Sequence, residues 1–170
     1  GFDFGFETSY NAVVSCSVDT ANSVLYIWDE IYMNHVTDPE FANQPEMQAL
    51  RKRLNALENY NKMLVADCED PKAIKYYRQC GFKIRGCKKF AGSRLSNTRK
   101  LKRFAKIVVS PKCRNTIREL KDLTYKKDPK GNVIYDQFNI DPHTFSALWY
   151  ALDGVTVADL KDREFNSQAG

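Results

Sequence analysis

Met63-Leu64-Val65-Ala66 is an apolar tetrad without alternation, and it ends in Asp67. Such a run reads as a strand buried on both faces, which obliges helices to cover a sheet from either side. The segments around it comply. Asp70 and Pro71 supply an N-cap and a first-turn proline for a helix reaching about Cys80, with Gly81 as its stop. Upstream, Pro45 opens a helix of about four turns. In it Met47, Leu50, Leu54 and Leu57 fall at helical spacing, while Arg51, Lys52 and Arg53 crowd the exposed side.

Before Pro39 the pattern is that of strands. Residues 2–6, 11–17 and 24–32 are apolar, β-branched or aromatic, and Asp19, Asn22 and Ser23 supply turn chemistry between the last two, which predicts an antiparallel meander. Residues 83–87 and 106–109 read as further strands with a basic helix between them. Ser110 and Pro111 repeat the cap-and-proline signal before a helix carrying Ile117, Leu120 and Leu123. Between 127 and 140 a Lys-Gly-Asn turn with β-favouring flanks predicts a small hairpin insertion. Asp141 and Pro142 then open a last helix, apolar at Phe145, Leu148, Trp149 and Leu152. The expected class is α/β: a mixed sheet, its three-strand antiparallel meander extended by parallel strands, with helices on both faces.

At 170 residues, 43% of them hydrophobic, the chain has the size of one domain with a real core. We expect a single domain over 1–157 and a polar tail over 158–170. No run approaches the roughly 20 apolar residues of a membrane span. Cys16, Cys68, Cys80, Cys87 and Cys113 are odd in number, include no CxxC pair and are accompanied by only two histidines. That disfavours a disulfide framework and a Cys/His zinc site, and favours a reducing compartment. The opening GFDFGFETSY carries acid where an export signal would carry base, and no GxxxxGK[ST] loop is present.

Charge is strongly polarised along the chain. Residues 1–50 hold no Lys or Arg, whereas Lys83, Arg85, Lys88, Lys89, Arg94, Arg99, Lys100, Lys102, Arg103 and Lys106 follow one another without an intervening acid. This reads as a surface for a polyanion, against the plainer reading of a solvated lysine-rich face.

Acids at the ends of core strands are the candidate chemistry. Asp3 lies between Phe2 and Phe4, and Asp67 terminates the apolar tetrad. A carboxylate so placed is costly to desolvate unless something pairs with it. On neighbouring strands, about 4.8 Å apart, the two would repel in one small volume, which a divalent cation relieves. Oxygen ligands without imidazole or thiolate select Mg²⁺ or Mn²⁺. The plainer alternative makes Asp3 a turn acid and Asp67 a helix cap.

Several segments, taken in order, carry a resemblance. They are Gly1-Phe2-Asp3-Phe4-Gly5; Leu25-Tyr26-Ile27 leading to Asp29-Glu30-Ile31-Tyr32; Ala66-Asp67-Cys68-Glu69-Asp70-Pro71 with Ile74; Lys89-x-x-Gly92-Ser93; Cys113-x-Asn115-x-x-x-Glu119; and His143-x-x-x-Ala147-Leu148-x-Tyr150-Ala151-Leu152. From Gly1 to about Leu152 the chain resembles the C-terminal nuclease domain of the large terminase subunit of tailed bacteriophages. The resemblance implies an RNase H-like fold that cuts double-stranded DNA during genome packaging in the cytoplasm of the infected bacterium. It implies a pair of Mg²⁺ or Mn²⁺ ions held by three aspartates, the first two mapping onto Asp3 and Asp67. It also implies a preceding ATPase domain, the portal and the small terminase subunit as partners, and no membrane. Lys89 and Ser93 match a pattern near the DNA path, which with Lys88, Arg94, Arg99 and Lys100 makes a candidate DNA-binding set.

The chain departs from that pattern at one position of consequence. Ser146 stands where the family's third metal-binding aspartate is expected, and Trp149 replaces an arginine. A hydroxyl is a poor Mg²⁺ ligand beside a carboxylate. Three accounts compete: Ser146 is an inactivating change, natural or engineered; Asp141 reaches in from the helix N-terminus; or Asp153 serves from about 10.5 Å further along the helix, the poorest of the three. His143 reads either as support behind the metals or as a packing residue. Glu30 reads as a further acid or a solvated strand-end acid, and Cys68 as a packing residue rather than a nucleophile. Tyr76-Tyr77 and Trp149-Tyr150 read as core covering. The rival function is a DNA-binding or docking module of the same fold with weakened catalysis; a resolvase or transposase core is more distant.

Overall fold

A computed structural model describes residues 1–5, 9–57 and 62–160. A six-stranded sheet runs in the order β5-β4-β1-β2-β3-β6. Its strands are β1 (Phe2–Asp3), β2 (Tyr10–Asp19), β3 (Val24–Asn34), β4 (Leu64–Ala66), β5 (Ile84–Gly86) and β6 (Lys106–Val109). β1, β2 and β3 pair antiparallel in sequence order; β4 adds parallel to β1, β5 to β4, and β6 to β3. The meander extended by parallel strands is thus the observed sheet. A separate hairpin joins β7 (Tyr125–Lys127) to β8 (Val133–Phe138), with Gly131 in the left-handed region at the turn.

Helices cover both faces, because strand side chains alternate into two apolar clusters. Phe2, Val13, Ile31, Leu64, Ala66 and Ile84 pack with Phe41, Met47, Leu50, Ile74 and Tyr77. These come from α1 (Asp38–Ala42), α2 (Pro45–Ala56) and α3 (Pro71–Gln79). Val14, Leu25, Ile27 and Val65 face the other way, against Leu101, Cys113, Phe138, Phe145 and Leu148. That layer holds α4 (Ser93–Arg103), α5 (Arg114–Asp122), α6 (His143–Ala151) and the hairpin.

Several boundaries differ from expectation, each for a local reason. β1 stops at Asp3, because the Gly5 N–H turns to Asn11 Oδ1 at 3.0 Å instead of continuing the ladder; Phe6 of the expected strand lies outside the described residues. Met63 is 40% exposed and β4 begins at Leu64, whose N–H is the first to join the ladder, on Lys83 O at 2.8 Å. Leu57, beyond the end of α2, is likewise exposed. An additional short helix, α1, is closed by a capping box between Thr37 and Glu40. α5 starts at Arg114 rather than after Pro111, since residues 110–113 form a turn closed by Cys113 N on Ser110 O. Past Thr156 a short 3₁₀ turn, Val157–Asp159, places Leu160 in the core, so packing continues into the expected tail; residues 161–170 lie outside the described ones.

Candidate active site

The register of β1 on β4 pairs Phe2 with Ala66, and Asp67 N donates to Phe2 O at 3.1 Å. Asp3 and Asp67 are therefore the next residues on two adjacent parallel strands, at one end of the sheet. Glycine permits the packing above them. A Cβ on Gly1 would lie 1.7 Å from Ala147 O, so only a residue without a side chain lets β1 approach the α6 backbone this closely.

α6 supplies the next layer. His143 and Tyr150 are seven positions apart, about two turns, and so lie on one face of the helix. His143 Nδ1 is 3.2 Å from Asp3 Oδ2, and the Tyr150 hydroxyl donates to Asp67 Oδ2 at 2.8 Å. Ser146, buried, stands between them on that face, three residues after His143 and four before Tyr150. Lys89 closes the opposite side: its Nζ lies 2.7 Å from Asp67 Oδ1 and 2.8 Å from Glu69 Oε1. The Glu69 N–H adds a bond to Asp67 Oδ1 at 2.9 Å.

The side chains of Asp3 and Asp67 are 14% and 18% exposed, yet they titrate in opposite directions. Burial pushes the Asp3 carboxyl above the usual range; His143 works against this, and the nearby charges of Asp67 and Asp141 add to it. Burial also acts on Asp67, but the hydrogen bonds from Lys89, the Glu69 N–H and Tyr150 outweigh it and hold the group below the usual range. Burial would lower His143, yet Asp3, Asp141 and Glu119 together raise it. Burial followed by the charges of Asp3 and Asp67 pushes the Tyr150 phenol well above its ordinary value, so it remains a donor.

α6 is held in place by acids from elsewhere. Neither α5 nor α6 has a side-chain cap of its own. Glu30, on β3, accepts from Asn115 N, Asn115 Nδ2, Thr116 N and Thr116 Oγ1 at 2.8 to 3.0 Å, capping α5. Glu119, on α5 and 3% exposed, accepts from Thr144 Oγ1 at 2.6 Å and Phe145 N at 3.0 Å, capping α6. Its other oxygen is buried without a partner. A relay thus runs from the sheet through α5 to the helix that carries His143 and Tyr150, and it accounts for Asn115 and Glu119 at that spacing. Glu30 is neither a further site acid nor a solvated one.

The other candidates fall as follows. Asp141 is 84% exposed, with Oδ2 3.9 Å from His143 Nε2. Asp153 is engaged elsewhere, by Arg85 at 2.7 Å and by Lys88 N at 3.0 Å. Lys88, Lys89, Ser93 and Arg94 line one cavity of about 180 Å³ together with Tyr150. Arg99 lines a different depression with Lys102 and Arg103. Lys100 is turned inward, its Nζ donating to Leu152 O at 2.9 Å. Tyr150, read as core covering, is in the core and also bonds Asp67 through its hydroxyl; its spacing from His143 and Ser146 is the available signal. Among the described residues, one set of three His, Cys, Asp or Glu side chains brings its ligand atoms within 4.8 Å of one another, and it is Asp67, Cys68 and Cys87.

Residues 3–154 match the profile of the family described as "Terminase RNAseH like domain". The chain belongs to this terminase family. It is 50% identical over 162 residues to the PBSX phage terminase large subunit of Bacillus subtilis (strain 168), spanning 95% of this chain and 35% of that protein's length. The terminase fold is also seen in the large terminase nuclease domain of bacteriophage SPP1 with bound Mn, at a TM-score of 0.74 and 24% identity over 92% of this chain and 85% of that one. The large terminase nuclease of thermophilic phage G20c with bound magnesium aligns at a TM-score of 0.54 and 17% identity, over 91% and 79% of the two chains. No helix among the described residues of this terminase domain is long and apolar enough to cross a membrane.

Proposed function

We propose that this terminase domain is a divalent-metal-dependent endonuclease that cuts double-stranded DNA during viral genome packaging, in the cytoplasm of the infected host. The observation that carries the reading is the pairing of Asp3 and Asp67 on adjacent strand ends, each held by a different residue of one helix face with Ser146 between them. The donor set fits a hard cation: two poorly exposed carboxylates, one of them raised by burial and by like charges beside it. Asp3 and Asp67 would hold the ions, with Asp141, beside His143, and Ser146, on the His143–Tyr150 face of α6, as the candidates to complete the shell. Bound Mg²⁺ or Mn²⁺, as a pair, supplies an activated water and stabilises the leaving 3′ oxygen of a phosphodiester.

The chain's own groups do the rest. His143 orients Asp3 and Tyr150 orients Asp67, both from one face of α6. Lys88, Lys89, Ser93 and Arg94 position a DNA phosphate from the neighbouring cavity, a contact that fixes place rather than base identity. Lys89 must leave Asp67 and Glu69 to do so. We further propose a single domain that takes in Leu160, past the expected boundary at 157, joined in the full protein to an ATPase domain, with portal and small terminase subunit as partners. In support, the large terminase of another thermophilic bacteriophage, a fold relative, has been solved in complex with ATP-gamma-S.

Plasmid cleavage with Mn²⁺, Mg²⁺ or EDTA tests the reading, with the chain run beside Ser146→Asp and Asp67→Ala. Cleavage lost with EDTA and with Asp67→Ala supports it. Ser146 favours a second reading, a DNA-binding or docking module whose metal site is disabled. Silence of every variant, with DNA affinity that still falls steeply as salt rises, would establish that one.

A further inference from the structure

Cys68 and Cys87 lie far apart in sequence, and neither belongs to a metal-binding spacing. Tertiary structure brings them together. β4 and β5 pair in parallel with Ala66 opposite Gly86, and Cys87 N continues the ladder onto Ala66 O at 2.7 Å. Both thiols therefore emerge just past the strand ends, beside Asp67. Gly86 makes room for this, since a Cβ there would meet Cys68 Cβ at 3.0 Å. The two sulfurs and an Asp67 oxygen all lie within 4.8 Å of one another. Cys87 also lines the cavity of about 180 Å³ that contains Lys89 and Tyr150, so the cluster has a route to solvent.

We propose that Cys68, Cys87 and Asp67 form a site for a thiophilic divalent cation, Zn²⁺ or Cd²⁺, which takes Asp67 away from the hard-cation site. Two thiolates and one carboxylate are a donor set that selects a soft or borderline ion and discriminates against Mg²⁺. In a tetrahedral site, sulfurs about 2.3 Å from the ion stand a little under 4 Å apart, so a cluster whose atoms lie within 4.8 Å of one another needs at most a contraction of about 1 Å. The two thiol protons leave to solvent on binding, and a water fills the fourth position. Lys89 swings off Asp67, as its long stem permits. The site is the chain's own and does not depend on nuclease activity; only its consequence, exclusion of the hard ion, rests on the role proposed for Asp67.

Titration of the chain with Cd²⁺ in a thiol-free reductant, followed by the thiolate-to-cadmium charge-transfer band in the ultraviolet, tests it without DNA. The band is expected to saturate at one Cd²⁺ per chain. Cys68→Ser, a near-isosteric change at a partly buried position on the edge of the core, should lose most of it. Cys87→Ser should do the same, Asp67→Asn should weaken the affinity, and Cys80→Ser should change nothing. Absence of the band, or a band that survives Cys68→Ser, overturns the site; an affinity unmoved by Asp67→Asn overturns the sharing of Asp67. Mn²⁺ binding, read from the resonance of the free ion, separates the two proposals. A cadmium band without Mn²⁺ binding defeats the hard-cation reading alone, whereas Mn²⁺ binding without a cadmium band defeats this one alone.

Discussion

Glu30 and Asp67 are both half-buried carboxylates of the central sheet, and their oxygens are claimed by different kinds of donor. Glu30 is saturated by two peptide N–H groups, an amide and a hydroxyl at the start of α5. Asp67 is held by an ammonium, a phenol and one peptide N–H. Half of the first set is helix backbone that does not move without unfolding, and the other half is short side chains on the same two residues. The second lies mostly on side chains that can rotate away and hand the oxygens to another partner. Acids of similar burial thus divide into those that build the fold and those available for exchange, and the donors tell them apart where burial does not.

The contrast breaks first on activity. In a Ser146→Asp chain, Asp67→Ala should reduce Mn²⁺-dependent plasmid cleavage by about 10³-fold or more, because several kcal/mol of charge stabilisation are removed. The melting temperature should barely change. Cleavage that survives this substitution would make Asp67 a structural acid like Glu30.

Stability should respond in the opposite order. Glu30→Ala strands four donors at the α5 N-terminus and is expected to cost about 2 to 4 kcal/mol, read from the urea midpoint. A loss below about 1 kcal/mol would mean that water replaces the cap. Glu119→Gln sharpens the same point at smaller scale. It keeps one acceptor for Thr144 and Phe145 but buries an amide where Glu119 Oε1 has no partner, for about 1 to 2 kcal/mol.

The smallest effects are in pH dependence. Asp67 is depressed, so its contribution to stability is present above the ordinary carboxylate range and is lost as pH falls through its lowered value. His143 is raised, so its contribution is complete below about pH 6.5 and is lost as pH rises through the raised value. Urea midpoints across pH should therefore show an altered acid slope in Asp67→Asn and an altered near-neutral slope in His143→Gln. Curves for both variants that run parallel to that of the unsubstituted chain would contradict the contrast.

Much of this was legible in the residues. Leu64, Val65 and Ala66 announce a strand covered on both faces, Asp70-Pro71 announces α3, and the acids flanking β1 and β4 mark the end of the sheet that matters. Met63 shows the limit, since an apolar side chain at a strand end satisfies the same pattern whether or not the ladder includes it. The basic run was also visible, but not its division. Lys88, Lys89 and Arg94 converge on one cavity, while Lys100 is spent on the carbonyl of Leu152.

Local chemistry alone determined the kinds of elements, their order and the faces they bury, because periodicity, caps and turns act within a few residues. Burial is non-directional, however, and does not specify which partner a buried polar atom meets. The bonds of Glu30 to Asn115, of Tyr150 to Asp67, and the approach of Cys68 to Cys87 join residues far apart in sequence. Hydrogen bonds and metal ligands tolerate only narrow distances and angles, so which acids serve the fold and which serve the site was decided only when the strands took their register.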